Sequence, residues 1–243
     1  MSLPPGLLHP PIAHRGLWSA NGAPENSLLA FERACRAGYG LELDVRLSAD
    51  GEAMVFHDEK LERMTGAPGT VQEKTAAELG ALPLKGGPAR IPTLAQALAT
   101  IAGRGLLLGE IKAIPERQDA LNARTAALLD AYAGPFGVVS FDAGALAWFA
   151  EHRPAVPRGL NVAHMSDAEL DEEGPQMEAR LDALIAEARP DFLNLQIDTA
   201  KGRLAARRRA NGFAVAAWVV RSAEEAASLA PYCDNIIFEG FSA

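Results

Sequence analysis

Short apolar runs recur along the chain, and several lack the strict in-and-out alternation of a strand with one wet face. They lie at 12–15, 40–45, 53–57, 105–111, 137–140, 158–162, 192–195, 213–220 and 235–238. Rich in Val, Ile, Leu and Phe, they read as strands covered on both faces, as in a parallel sheet. Longer stretches between them read as helices, at 26–37, 93–102, 117–132, 143–151, 176–188, 200–210 and 222–229. The first carries Leu28, Leu29, Phe31 and Ala34 near helical spacing and stops at Gly38; the second follows Pro92 and ends at Gly103.

Repeated strand-then-helix units imply parallel strands joined by right-handed crossovers. With 53–57 counted as an extension of the second unit, eight strands remain in a chain of 243 residues. That count and length favour an α/β fold of the TIM (β/α)8 barrel type, expected as a single domain over 1–243. An open doubly wound sheet is the rival, but no GxGxxG follows the first run, so a dinucleotide-binding domain lacks its main mark. Residues 58–90 break the alternation with Gly66, Pro68, Gly69, Pro83, Gly86, Gly87 and Pro88. They are expected to form a small loop-rich insertion after the second strand, with one short helix around Thr75–Leu79.

A hydrophobic fraction of 49% with 22% charged residues suits a chain that folds. The net charge of -8 argues against general nucleic-acid binding but leaves room for an anionic small-molecule substrate at a locally cationic site. Cys35 and Cys233 have no metal-site spacing and are expected as free buried thiols. No apolar run reaches membrane-span length, and the first residues show neither a basic region nor an apolar run of signal-peptide length. A cytoplasmic protein with no membrane span is the expectation.

In a barrel, polar groups at the C-terminal ends of strands converge on one mouth. The first strand ends in His14-Arg15-Gly16, the second holds Glu42-Leu43-Asp44, its extension ends in His57-Asp58, and the next ends in Glu110-Ile111-Lys112. Glu42 and Asp44, at i and i+2, point to one face, as do Glu110 and Lys112. Crowded carboxylates repel, and one takes a proton unless a cation joins them. Three of them suit a hard divalent ion, Mg2+ or Ca2+. Arg15 and Lys112 can hold an anion beside it, and His14 and His57 can serve as acid and base. Together the parts describe metal-assisted attack on a phosphate ester.

In order along the chain, IAHRG, PENS, LELDV, VFHDEKLERMTG, IPTL and GEIK resemble the glycerophosphodiester phosphodiesterases, whose pattern reads HRG, PENT, ExD, HD…L.R.T, IPTL and ExK. The resemblance continues through Ser140–Asp142, the Trp218 segment and DNIIFEG, and covers nearly the whole chain. It implies a TIM-barrel hydrolase that releases an alcohol and glycerol 3-phosphate. By match, His14 and His57 are the acid/base pair, Glu42, Asp44 and Glu110 the metal ligands, and Arg15 and Lys112 the phosphate ligands. It also implies that a glycerol hydroxyl next to the ester attacks phosphorus before water does. The chain departs from the pattern where Trp218 is followed by Val219-Val220-Arg221, where Phe238-Glu239 replaces a Thr-Asp, and where PENT has become PENS.

Other readings stand beside these. Arg15 and Lys112 can simply pair with Glu42 and Glu110. Glu25 and Asn26 can order the site or just begin a helix. Asp58 can orient His57 or start a loop, and Trp218 can be core or substrate platform. His9, His152 and His164 read as surface or capped histidines, and Arg207-Arg208-Arg209 as a solvated face. At the level of function, a lysophospholipase-D-like enzyme is the near alternative. A barrel glycosidase using Glu42 and Glu110, or a non-catalytic binding protein, is more distant: uncharged sugars need neither Arg15, Lys112 nor the histidines.

Overall fold

The computed structural model describes residues 3, 9–20 and 22–243. They divide into two compact units: Ala13–Phe136, and Gly137–Ala243 together with the stretch up to Ile12. Among the described residues, no helix is long and apolar enough to cross a membrane.

Around and within Ala13–Phe136 the elements are β1 (Ile12–Ala13), α1 (Leu28–Ala37), β2 (Gly40–Leu47), β3 (Ala53–Val55), α2 (Glu62–Thr65), α3 (Ala76–Ala81), α4 (Leu94–Ile101), β4 (Leu107–Ile111) and α5 (Gln118–Leu129). The Ser27 hydroxyl caps α1 by accepting from Ala30 N at 3.2 Å, and Gly38 ends it in the left-handed region at φ 78°. β2 runs parallel to β4 with Asp44 opposite Glu110. Leu41, Leu43 and Val45 are fully buried on one face of β2, and Glu42 and Asp44 are buried on the other.

β2 outruns β4. Past Leu47 the chain reverses at Gly51, φ 86°, with Ser48 N donating to Glu52 O at 2.9 Å. It returns as β3, antiparallel to β2, with Val45 opposite Val55. The stretch at 53–57 is thus a separate antiparallel strand rather than a continuation of the parallel set. The stretch at 58–90 is more ordered than its glycines and prolines suggest, since α2, a 3-10 turn at Val71–Glu73 and α3 all lie there. Leu61, Val71, Leu79 and Leu84 pack with Met54, Phe56 and Ile91 in a small core of its own, each fully buried Leu contributing about 1.5–3 kcal/mol.

The other unit carries β5 (Phe136–Ser140), α6 (Ala143–His152), β6 (Arg158–Val162), α7 (Asp167–Glu173), α8 (Pro175–Ala188), β7 (Phe192–Gln196), α9 (Ile197–Lys201), α10 (Arg203–Ala210), β8 (Ala214–Val220), α11 (Ala223–Leu229) and β9 (Asn235–Phe238). Its neighbouring strands from β5 to β9 pair in parallel. The Asp142 carboxylate caps α6 and a Ser166–Glu169 capping box starts α7. The helix expected over 200–210 is two helices broken at Gly202, and α7 lies in a stretch to which the sequence assigns no element. Within the second unit the strand order is β9-β8-β7-β6-β5, and within the first it is β4-β2-β3 with β1 beside β2; the fold class is a TIM (β/α)8 barrel, with β3 as one added antiparallel strand.

Candidate active site

His14, Arg15, Glu25, Asn26, Glu42, Asp44, His57, Asp58, Glu110 and Lys112 all fall within Ala13–Phe136. Two segments make most of the site: the β1–α1 loop, and the β2–β3 hairpin with its neighbour β4.

The loop bends sharply. Arg15 and Asn26 both take positive φ, 57° and 55°, and Asn26 N donates to Arg15 O at 3.0 Å. Such backbone is costly for side-chain-bearing residues and persists where surroundings hold it. Here Arg15 N donates to Glu42 Oε2 at 3.0 Å, and Asn26 Nδ2 donates to Asp44 Oδ2 at 2.7 Å. Gly16 follows at φ 79°, where a Cβ would stand 2.9 Å from Ala30 and Phe31 atoms, so the loop can lie against α1 only with glycine there.

Glu42, Asp44 and Glu110 each bring one carboxylate oxygen within 4.8 Å of the others. Lys112 Nζ bridges Asp44 Oδ1 at 2.6 Å and Glu110 Oε1 at 2.5 Å, and Arg15 Nε lies 3.4 Å from Asp44 Oδ2. The charges sort the three acids. Burial pushes Glu42 well above the usual carboxylate range, and the Asp44 and Glu110 charges add to that. Burial acts on Asp44 too, but Lys112 and Arg15 outweigh it and hold Asp44 ionised. Glu110 is raised, by burial first. Glu42 Oε1 is buried without a hydrogen-bond partner. A buried oxygen left so is expensive, and three hard oxygen donors around it fit a divalent cation such as Mg2+ or Ca2+.

His57 hangs beyond β3, level with Asp44, since Phe56 N donates to Asp44 O at 3.0 Å. Its Nδ1 lies 2.6 Å from Asp58 Oδ1, and Arg46 Nε donates to its backbone oxygen at 2.8 Å. Burial pushes the imidazole below its ordinary value, and Lys112 and Arg15 push the same way against Asp44 and Asp58. His14 is half-buried beside Arg15, within electrostatic reach of Glu110. Arg15 Nη1 donates to Glu25 Oε1 at 2.8 Å.

Arg63, on α2, stands between Glu25 and Asp58, contacting Glu25 Oε1 at 2.6 Å and Asp58 Oδ2 at 2.5 Å. Sequence reasoning did not place it in the site. Its signal was the final R of VFHDEKLER, hidden by a four-residue helix inside a stretch expected to be loops.

Trp218 stands on β8 in the other unit, where its Nε1 donates to Asn194 O at 2.8 Å and its ring meets Phe141 edge-on at 5.5 Å. The unusual Arg221 and Glu239 pair with each other at 3.0 Å. His152 stacks on Trp148 at 4.3 Å and His164 is mostly exposed, as surface histidines should be. Arg207, Arg208 and Arg209 pair with Glu178, Asp182 and Asp234, a solvated ion-pair face. Cys35 and Cys233 are free, and Cys233 is buried as expected while Cys35 is only half-buried.

A family described as the glycerophosphoryl diester phosphodiesterase family matches residues 14–237. A glycerophosphodiester phosphodiesterase of Caldanaerobacter subterraneus subsp. tengcongensis is 39% identical over 109 residues, 42% of this chain and 44% of that protein. One from Bacillus altitudinis is 48% identical over 69 residues, 28% of this chain and 27% of that protein. In these alignments the chain spans less than half the length of either relative. A phosphodiesterase of Oleispira antarctica, solved in complex with the product sn-glycerol-3-phosphate, superposes with a TM-score of 0.81 at 27% identity, covering 96% of this chain and 93% of that one.

Proposed function

Because the chain belongs to the glycerophosphoryl diester phosphodiesterase family, we propose that it hydrolyses glycerophosphodiesters to an alcohol and glycerol 3-phosphate, using a divalent cation held by Glu42, Asp44 and Glu110. The observation that carries this is the clustering of those three carboxylates within 4.8 Å, with Arg15 and Lys112 against them. When bound, the cation supplies Lewis-acid polarisation of a phosphate oxygen and lowers the pKa of a neighbouring hydroxyl.

The remaining work falls to side chains. Arg15 and Lys112 offset the phosphate charge, Arg15 as a planar fork and Lys112 as a point charge. Asp58, itself held ionised by Arg63 and His57 against its own burial, accepts from His57 Nδ1–H. That fixes the tautomer and leaves Nε2 free to take a proton. His57, with its lowered pKa, is the base that takes the proton from the glycerol hydroxyl next to the ester. As that oxygen bonds to phosphorus, His14 gives its proton to the departing alcohol oxygen. The resulting cyclic phosphate is opened by water with the two roles reversed. An internal nucleophile avoids the entropy of capturing water.

The test is hydrolysis of glycerophosphocholine with Mg2+, after exhaustive chelation, and with an analogue lacking the adjacent hydroxyl. Chelation abolishes activity and Mg2+ or Ca2+ restores it; full activity after chelation removes the metal from the proposal. The deoxy analogue binds and turns over poorly. Comparable turnover means that water attacks directly.

A further inference from the structure

Arg63 makes four hydrogen bonds to two carboxylates. Its Nε and Nη2 donate to Asp58 Oδ2 and Oδ1 at 2.5 and 3.1 Å, and its Nη1 and Nη2 donate to Glu25 Oε2 and Oε1 at 3.1 and 2.6 Å. Each carboxylate passes the contact on: Asp58 to His57 Nδ1 at 2.6 Å, and Glu25 to Arg15 Nη1 at 2.8 Å. One guanidinium therefore joins two residues that reach the site on different segments, His57 beyond β3 and Arg15 on the β1–α1 loop.

We propose that Arg63 is a positioning residue that holds His57 and Arg15 in mutual register, through Asp58 on one side and Glu25 on the other. The proposal rests on the functional reading above, in which those two residues are the base and a phosphate ligand.

Arg63 does not fill a core. Its side chain is 46% exposed, whereas Glu25 and Asp58 are only 11% and 22% exposed. The drawn-in partners are the groups that face the site. A guanidinium has five donors in a planar fork and makes four bonds to the two carboxylates here, more than the three donors of an ammonium can supply. Its backbone is fixed by the inserted segment: Leu61 N donates to Gly69 O, Lys85 N to Met64 O, and Leu61 is fully buried. The insertion thus delivers one cation to the rim of the chemistry.

Each side of the brace has its own consequence. Without Arg63, Asp58 keeps its bond to His57 but loses the cation that aims it, so the imidazole swings and turnover falls. Glu25 then has only Arg15 as cationic partner. Arg15 is pulled more strongly toward Glu25 and turns less readily to phosphate, so KM rises. An ion pair that merely stabilises the surface would produce neither effect.

The experiment compares wild type, Arg63→Met, Arg63→Lys and Arg63→Ala on glycerophosphocholine with Mg2+, with millimolar guanidinium added to the Ala variant. Arg63→Met should lower kcat by about tenfold to a hundredfold and raise KM several-fold, with the melting temperature close to wild type. Guanidinium should restore a large part of both parameters in Arg63→Ala. Arg63→Lys should restore the two parameters only in part, since an ammonium has three donors for the four bonds the guanidinium makes. Values of kcat and KM within about twofold of wild type in Arg63→Met, or a loss that guanidinium leaves untouched, overturn the proposal. If the wild type hydrolyses no diester, the functional reading fails by itself. The brace is then decided by 15N NMR of the His57 ring, whose Nδ1–H resonance should be protected in wild type and exchange-broadened in Arg63→Met. An unchanged resonance overturns it.

Discussion

In the proposed mechanism His57 accepts a proton, which requires its other ring nitrogen to be committed elsewhere, and Asp58 lies 2.6 Å from Nδ1, in place to commit it. Asp58→Asn keeps the shape but offers an amide that can donate, which favours the wrong tautomer. We expect kcat to fall by roughly a hundredfold or more, with phosphate binding largely retained; near wild-type kcat would mean that Asp58 only opens the following loop. His14→Ala should cost as much in steady-state turnover. Residues of this kind were legible from spacing. Glu42 and Asp44 at i and i+2 were bound to share a face, and the structure buries both. Asn26 was ambiguous because asparagine is also a good helix cap. In the event Ser27 is the cap, and Asn26 donates to Asp44 at 2.7 Å. Arg63 matches the R of the family pattern, but its direction cannot be read from sequence because it depends on the turn of a helix too short to show a period.

At the scale of elements, periodicity located the strands of the parallel set, since a run buried on both faces has no other simple explanation. It could not give direction, so the return strand β3 looked like a continuation of β2. Nor could it resolve α2 and the 3-10 turn, whose order comes from burying Leu61, Val71 and Leu79 rather than from propensity. Between β6 and β7 the packing leaves no spare room. Gly159 lies opposite Phe192, and a Cβ there would meet the fully buried ring at 2.4 Å. Gly159→Ala should therefore cost about 1–3 kcal/mol of stability, read from urea unfolding. An unchanged midpoint would show that the ring has somewhere to go. The Arg221–Glu239 pair, by contrast, has one partner 67% exposed and should contribute little.

For the whole molecule, the buried acids tie stability to pH and, under the proposed function, to metal. The metal-free fold holds a proton on Glu42 more tightly than the unfolded chain does. Its contribution is fully present below the unfolded value of about 4.3 and is lost as pH rises through the folded value. Glu25 and Asp58, held low chiefly by Arg63 against their own burial, have the opposite sign, and their contributions are lost only on acidification. Under the proposed function, a metal bound by Glu42 displaces that proton, so affinity should rise with pH. Thermal unfolding with and without Mg2+ should then show a larger metal-induced gain near pH 8 than near pH 5.5, with proton release on titration. An equal gain at both pH values would place the metal elsewhere. The overall charge of -8 was uninformative here, because local cations set the behaviour of the site.

The β2–β3 hairpin also bears on how the site comes into being. Glu42, Asp44, His57 and Asp58 belong to one contiguous stretch closed by the turn at Gly51, with Val45 opposite Val55. Contacts of such short sequence separation close with little loop entropy and form among the earliest in a folding chain. Half of the candidate site is thereby drafted locally, in a piece of chain able to take shape before the distant strands have met.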